Sequence, residues 1–246
     1  MSGVAKLEFP FGKPLPPWDI VTEVVSRIDA DKWMLIGGLM VQAHAMMAEL
    51  ESRATVDVDL LIDVLADTLN IGHVIAGLEE LGFELHEPGL RGAPFHRLKR
   101  DNQIIDVLIA DHLPSGKSKA AKIGLLHLME TPGGAQTLNR RTKVAIEVPD
   151  GVCEFYMPDV LGALVLKSAV YRSDNRDKDR HLSDAALLAS LVTDIGTELS
   201  RLHGSDRKRL RSTAGALADS NHPAWMNLPS KNRLRGQDVL RILSSD

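Results

Sequence analysis

Residues 33–62, WMLIGGLMVQAHAMMAELESRATVDVDLLI, decide how this chain is read. A short apolar run, Trp33 to Ile36, meets Gly37-Gly38, and a helical segment of about four turns follows. The chain then passes through Arg53-x-Thr55-x-Asp57-x-Asp59 into Leu60-Leu61-Ile62, which reads as a strand. Side chains at i and i+2 of a strand share a face. Asp57 and Asp59 are therefore expected side by side, with Thr55 on their face and Val56, Val58 and Leu60 turned into a core. Adjacent carboxylates repel unless one is protonated or a cation holds them. A divalent metal that also grips phosphate meets that need. A solvated strand edge is the alternative for an isolated Asp-x-Asp. The Gly37-Gly38 turn lets backbone amides at a helix N-terminus approach phosphate oxygens without a Cβ in the way.

The rest of the chain sets bounds on that reading. Its 246 residues suffice for one large or two modest domains. Hydrophobic and charged fractions of 44% and 25% are those of an ordinary soluble globular protein. No segment approaches the roughly 18 apolar residues that span a bilayer. The opening, MSGVAKLEFPFGKPLPPW, puts Pro and Gly where a signal peptide needs an apolar run. The single cysteine, Cys153, rules out an internal disulfide and a Cys-rich zinc site. A cytoplasmic location without a membrane partner is the expectation. Net charge is −4, yet residues 201–246 carry nine Lys/Arg against four Asp. Such asymmetry fits a footprint for a polyanion, and it equally fits a solvated helix face.

Helical spacing predicts helices over 19–31, 68–81 with Gly82 as C-cap, and 117–129, the last broken by Thr131-Pro132-Gly133-Gly134. Strands are expected at 83–85, 95–99, 103–109 and 143–148, with turns at 87–89, 100–102 and 149–151. The second and third of these strands would form a hairpin. From Pro158 the pattern becomes helical, at about 158–171, 177–192, 194–202, 206–219 and 236–243. The expectation is an α+β chain, with a mixed-sheet domain over 1–156 and a helical C-terminal domain over 157–246.

Two further features belong with the aspartates. Asp106 interrupts the apolar strand Ile104-Ile105-Asp106-Val107-Leu108-Ile109, where a lone carboxylate is costly unless paired or metal-bound. Capping of a loop at the strand end is the other reading, and Asp111 just beyond is a second candidate. Lys167 lies on an otherwise apolar helix face and should meet an anion. The charged turn Arg176-Asp177-Lys178-Asp179 and then Asp184 follow it. Several motifs fail on spacing. Ser115-Gly116-Lys117-Ser118 ends like a phosphate-binding loop, but the glycine required five positions before Gly116 is Asp111. No paired histidines suggest zinc, and His44 reads as a packed helix residue.

The pattern resembles the nucleotidyltransferase superfamily, whose motif is hG[GS] followed by [DE]h[DE]h, with h apolar. Gly37-Gly38 and Asp57-Val58-Asp59-Leu60 match its two parts. The approach Arg-x-Thr-x-Asp-x-Asp looks most like the AbiEii-like branch, which includes toxins of type IV toxin–antitoxin pairs. The resemblance implies a nucleotidyltransferase-fold core and transfer of a nucleoside monophosphate from an NTP to a hydroxyl. It implies two Mg²⁺ ions on Asp57 and Asp59, with Asp106 completing the cluster or acting as general base. It also implies triphosphate contacts from Gly37, Gly38, Arg53, Thr55 and Lys167. Asp184 or Asp179 matches a later acidic site position; four residues separate them, more than the family's usual gap. The acceptor would be RNA, such as a tRNA 3′ end, and a cognate antitoxin would be a partner. Two rivals stand beside this. One is an enzyme of the same fold with a small-molecule acceptor such as an aminoglycoside; the other is a catalytically silent binding module.

Overall fold

A computed structural model describes residues 4–9, 13–86, 93–149, 151–174 and 177–245. In chain order the elements are β1 (Ala5–Leu7), α1 (Trp18–Arg27), β2 (Trp33–Ile36), α2 (Gly37–Met47), β3 (Asp57–Ile62), α3 (Asn70–Glu80), β4 (Glu84–Leu85), β5 (Arg97–Arg100) and β6 (Gln103–Ala110). Then come α4 (Ser115–Ala120), β7 (Lys122–Ile123), β8 (Leu126–His127), β9 (Met129–Thr131), α5 (Gly134–Leu138), β10 (Arg141–Val148) and β11 (Gly151–Pro158). The remaining elements are helices: α6 (Val160–Ser173), α7 (Lys178–Leu191), α8 (Ile195–Arg201), α9 (Asp206–Ala216), α10 (Pro223–Met226) and α11 (Ser230–Ser244). The fold class is α+β.

The main sheet runs β2-β3-β6-β5-β4. β3 and β6 pair in parallel, and β2, β5 and β4 join antiparallel. Beyond the end of β5, β9 takes over the same edge of β6, in parallel. A three-stranded sheet, β1-β10-β11, lies beside the main one. Trp33 of β2 stacks on Phe155 of β11, with ring centroids 6.2 Å apart.

The two faces of β3 explain the placement of the site. Val58, Leu60 and Ile62 enter the main core together with Ile105, Val107 and Ile109 of β6. Leu61, on the aspartates' face, packs with Met34, Ile36, Ala110, Leu138 and Leu166 in a smaller apolar cluster that ties the sheet to α6. Apart from Gln42 and His44, α2 is built of apolar residues and glycine, and it is buried along most of its length. His44 sits in it as a packed residue, its Nε2 2.9 Å from the Pro158 carbonyl, and burial lowers its pKa.

Several expectations change. α2 spans 11 residues, about three turns rather than four. β3 starts at Asp57, so Val56 precedes the strand and is 74% exposed instead of buried. The helix expected over 117–129 stops at Ala120, and the chain goes on into the short strands β7, β8 and β9. The strands β1 and β11 and the helix α10 were not foreseen, and α11 begins six residues earlier than the pattern indicated. The turn expected at 87–89, residue 150 of the turn at 149–151, and Arg176 lie outside the described residues.

Candidate active site

Strand register brings the acidic residues together. Asp59 of β3 is the lateral partner of Asp106 on β6, and Asp106 is the partner of Arg97 on β5. Ile36, Asp59, Asp106 and Arg97 thus form one row across four strands, pointing to one face. Asp57 stands two residues before Asp59 on the same face. Asp57, Asp59 and Asp106 each offer an oxygen, all within 4.8 Å of one another, an arrangement that could hold a metal ion. Hard carboxylate oxygens suit Mg²⁺, Mn²⁺ or Ca²⁺.

The groups around this cluster are specific. Thr55 donates from Oγ1 to Asp57 Oδ1 at 2.7 Å. Gly37 adopts φ +71°, and a Cβ there would lie 1.7 Å from Asp59 Oδ2. A side chain at Gly38 would strike Thr55 at 2.6 Å. Both glycines are therefore required by the residues that crowd the turn, besides any role toward phosphate. Burial pushes the Asp59 carboxyl up to about 7, the neighbouring carboxylates of Asp57 and Asp106 add to the rise, and Lys167 and the Gly38 N–H oppose it.

Lys167 reaches in from α6. Its Nζ lies 2.8 Å from Asp184 Oδ2 on α7. Asp184 also accepts two hydrogen bonds from Arg53, at 2.9 and 3.1 Å. Burial opposes ionisation of Asp184, but Lys167 and Arg53 outweigh it and hold its pKa below the usual carboxylate range. Asp184 thus joins the two cations rather than the acidic cluster, whereas Asp179 is exposed on the first turn of α7. Asp111 is likewise outside the cluster, accepting from the Gly133 N–H at 2.9 Å and lying 3.8 Å from Arg209.

These groups open onto a cleft of about 720 Å³ between the sheet face and helices α6 and α7. Its walls include Gly37, Gly38, Arg53, Asp57, Asp59, Asp106 and Lys167, and also Arg97, His181, Asp174, Arg180 and Glu130, which were not anticipated. Arg97 holds Asp106 with two hydrogen bonds, of 2.8 and 2.7 Å. His181 is buried, its Nε2 3.2 Å from Asp174 Oδ2, and burial and Lys167 lower its pKa. Gln42 also went unnoticed; it donates to the Arg53 carbonyl at 3.0 Å and steadies the approach to β3.

No family model matches the chain, and no curated protein does. A solved structure described as an antigenic nucleotidyltransferase-like protein from Paracoccidioides brasiliensis aligns with 84% of this chain and 92% of its own, at 14% identity and a TM-score of 0.49. Among the described residues, no helix is long and apolar enough to cross a membrane.

Proposed function

We propose that the chain is a metal-dependent nucleotidyltransferase of the AbiEii-like type, moving a nucleoside monophosphate from an NTP to a hydroxyl and releasing pyrophosphate. The observation that carries this reading is the triad Asp57, Asp59 and Asp106, on neighbouring strands of one sheet face beside a cleft. The three side chains supply only oxygen donors, which fits Mg²⁺. Bound there, Mg²⁺ would neutralise triphosphate charge and make the acceptor hydroxyl more acidic.

The chain's own groups serve the same end. Lys167 and Arg53 put two positive charges on the cleft wall, where the triphosphate would lie. Asp184 fixes both of them, so they meet the ligand in one geometry rather than as free side chains. Thr55 orients Asp57. Asp106 either completes the metal cluster or accepts the hydroxyl proton. The proposed acceptor is RNA, such as a tRNA 3′ end, and the proposed setting is a toxin with a cognate antitoxin. A second reading is a small cationic acceptor such as an aminoglycoside. Glu130 and Asp174 favour it, because they place carboxylates on the cleft wall outside the triad.

The test is direct. The purified chain is incubated with Mg²⁺ and each labelled NTP, once with total tRNA and once with an aminoglycoside panel. Label should move to one acceptor class with wild type, and transfer should vanish in Asp57→Ala and Asp59→Ala while the fold is kept. Near wild-type turnover by either variant at saturating Mg²⁺ would sink the assignment.

A further inference from the structure

Arg97 and Asp106 face one another across the β5–β6 hairpin, and the guanidinium takes both carboxylate oxygens, at 2.8 and 2.7 Å. This is the strong, two-pronged form of the contact. Whichever oxygen Asp106 offers to a metal already accepts a hydrogen bond from Arg97. Arg97 therefore competes with any cation that would complete the triad. It also lies in the field of Asp57 and Asp59.

Two of the ion pairs at the cleft, Lys167–Asp184 and Arg97–Asp106, differ in one respect. The side chains of Lys167 and Asp184 are 6% and 2% exposed, so parting them would strand a charge out of water. Arg97 is 33% exposed while Asp106 is 10%. A guanidinium that leaves Asp106 can thus stay hydrated, and the carboxylate it leaves needs a replacement cation. Arg97 also lines the cleft, where an anionic ligand could receive it.

We propose that Arg97 is the resident counter-ion of the acidic triad, displaced from Asp106 when a divalent cation binds and then free to pair with phosphate of the incoming nucleotide. Metal and nucleotide binding are thereby coupled: metal alone must expel a bound guanidinium, and metal with a polyphosphate gives that guanidinium a new partner. The second half rests on the nucleotidyltransferase reading; the first does not.

Mn²⁺ titration of the full chain without nucleotide, by calorimetry, tests the first half. Arg97→Gln removes the competitor and should bind Mn²⁺ about tenfold tighter than wild type. Arg97→Lys keeps the charge but loses the two-pronged grip, and should gain several-fold. Melting curves in chelator show that both variants are folded. No gain in either variant overturns the proposal and makes Arg97 a strut that merely positions Asp106. A non-hydrolysable NTP is then added. Wild type should bind Mn²⁺ more tightly with the nucleotide present, and Arg97→Gln should lose most of that enhancement. An equal enhancement in the variant overturns the coupling. Tighter Mn²⁺ binding by the variant, with no nucleotide binding by either protein, would leave the counter-ion role standing and remove the nucleotidyltransferase reading.

Discussion

The surroundings of Asp59 disturb its chemistry strongly. Its carboxyl rises from the ordinary 3.8 to about 7, with burial as the largest cause. A raised carboxyl pKa means that the native state holds the proton more tightly than the unfolded chain. Its stabilising contribution is full below about pH 4 and is lost as pH climbs through about 7. Metal-free wild type, melted in chelator across pH 4 to 8, should lose stability relative to Asp59→Asn as pH rises. At pH 8 the variant should be the more stable, and Mn²⁺ should reverse the order by favouring the ionised wild-type carboxylate. Parallel pH curves for the two proteins would remove the burial argument. At this scale the sequence was legible where spacing alone decides. Asp57 and Asp59 share a face because they are two apart in a strand. Arg97 was missed although its register was implicit. A tight turn at 101–102 opposes Arg100 to Gln103, and counting three residues away from the turn, back along β5 and forward along β6, opposes Arg97 to Asp106. Asp184 was singled out by a family motif, but its bonds to Arg53, 131 residues away, depend on tertiary packing.

Between elements, the trio Arg53–Asp184–Lys167 ties the approach to β3 to helices α6 and α7. Removing only the carboxylate leaves the Lys167 ammonium uncompensated in a site where its side chain is 6% exposed. Asp184→Ala should therefore cost about 3–5 kcal/mol of stability, read by denaturant unfolding. Asp184→Leu combined with Lys167→Met exchanges the pair for apolar side chains and should recover most of that loss, but it should not recover nucleotide binding. Full stability in the single variant would mean that the pair is not buried as described. Element types were read well where apolar periodicity was long, as in α6, α7 and β6. The failure at 117–129 has a physical cause. Lys117, from α4, donates to the carbonyls of Val64 and Leu65, and Phe95 bridges to Leu128. Tertiary partners thus hold strands of two and three residues in a stretch whose local composition favours helix. β11 hid for a different reason: Val152 is 57% exposed while Phe155 and Met157 are buried, so alternation is clear only in its second half.

For the molecule as a whole, the basic C-terminal stretch is less uniform than its composition suggests. Arg209 is buried at 6% exposure, 3.8 Å from Asp206 and 3.8 Å from Asp111, in a charged interior that includes the Arg140–Asp206 pair at 2.6 Å. It takes no part in a surface footprint, so not all of the positive charge counted over 201–246 is at the surface. Arg207 and Arg211 donate to the carbonyls of Ser245 and Ser244 at the end of α11, which steadies that terminus. Lys208 is exposed. A charge count could not separate these roles, because it carries no information on which helix face α9 turns to the core. The proposed RNA acceptor can now be tested without disturbing the interior. Arg207→Gln, Lys208→Gln and Arg211→Gln are combined, and Arg209 is left alone. If this surface holds RNA, affinity falls as salt rises, and each phosphate contact adds about 0.7 to the log–log slope for a single strand. The triple variant should lower that slope by roughly 2 and weaken RNA transfer at physiological salt. NTP affinity should be unchanged, since the cleft lies among Gly37, Asp59 and Lys167. Arg209→Gln should instead lower the melting temperature by stripping Asp111 and Asp206 of a buried cation. An unchanged salt slope and unchanged RNA transfer in the triple variant would place the acceptor elsewhere. Together with label appearing on an aminoglycoside in the transfer assay, they would establish the small-molecule reading.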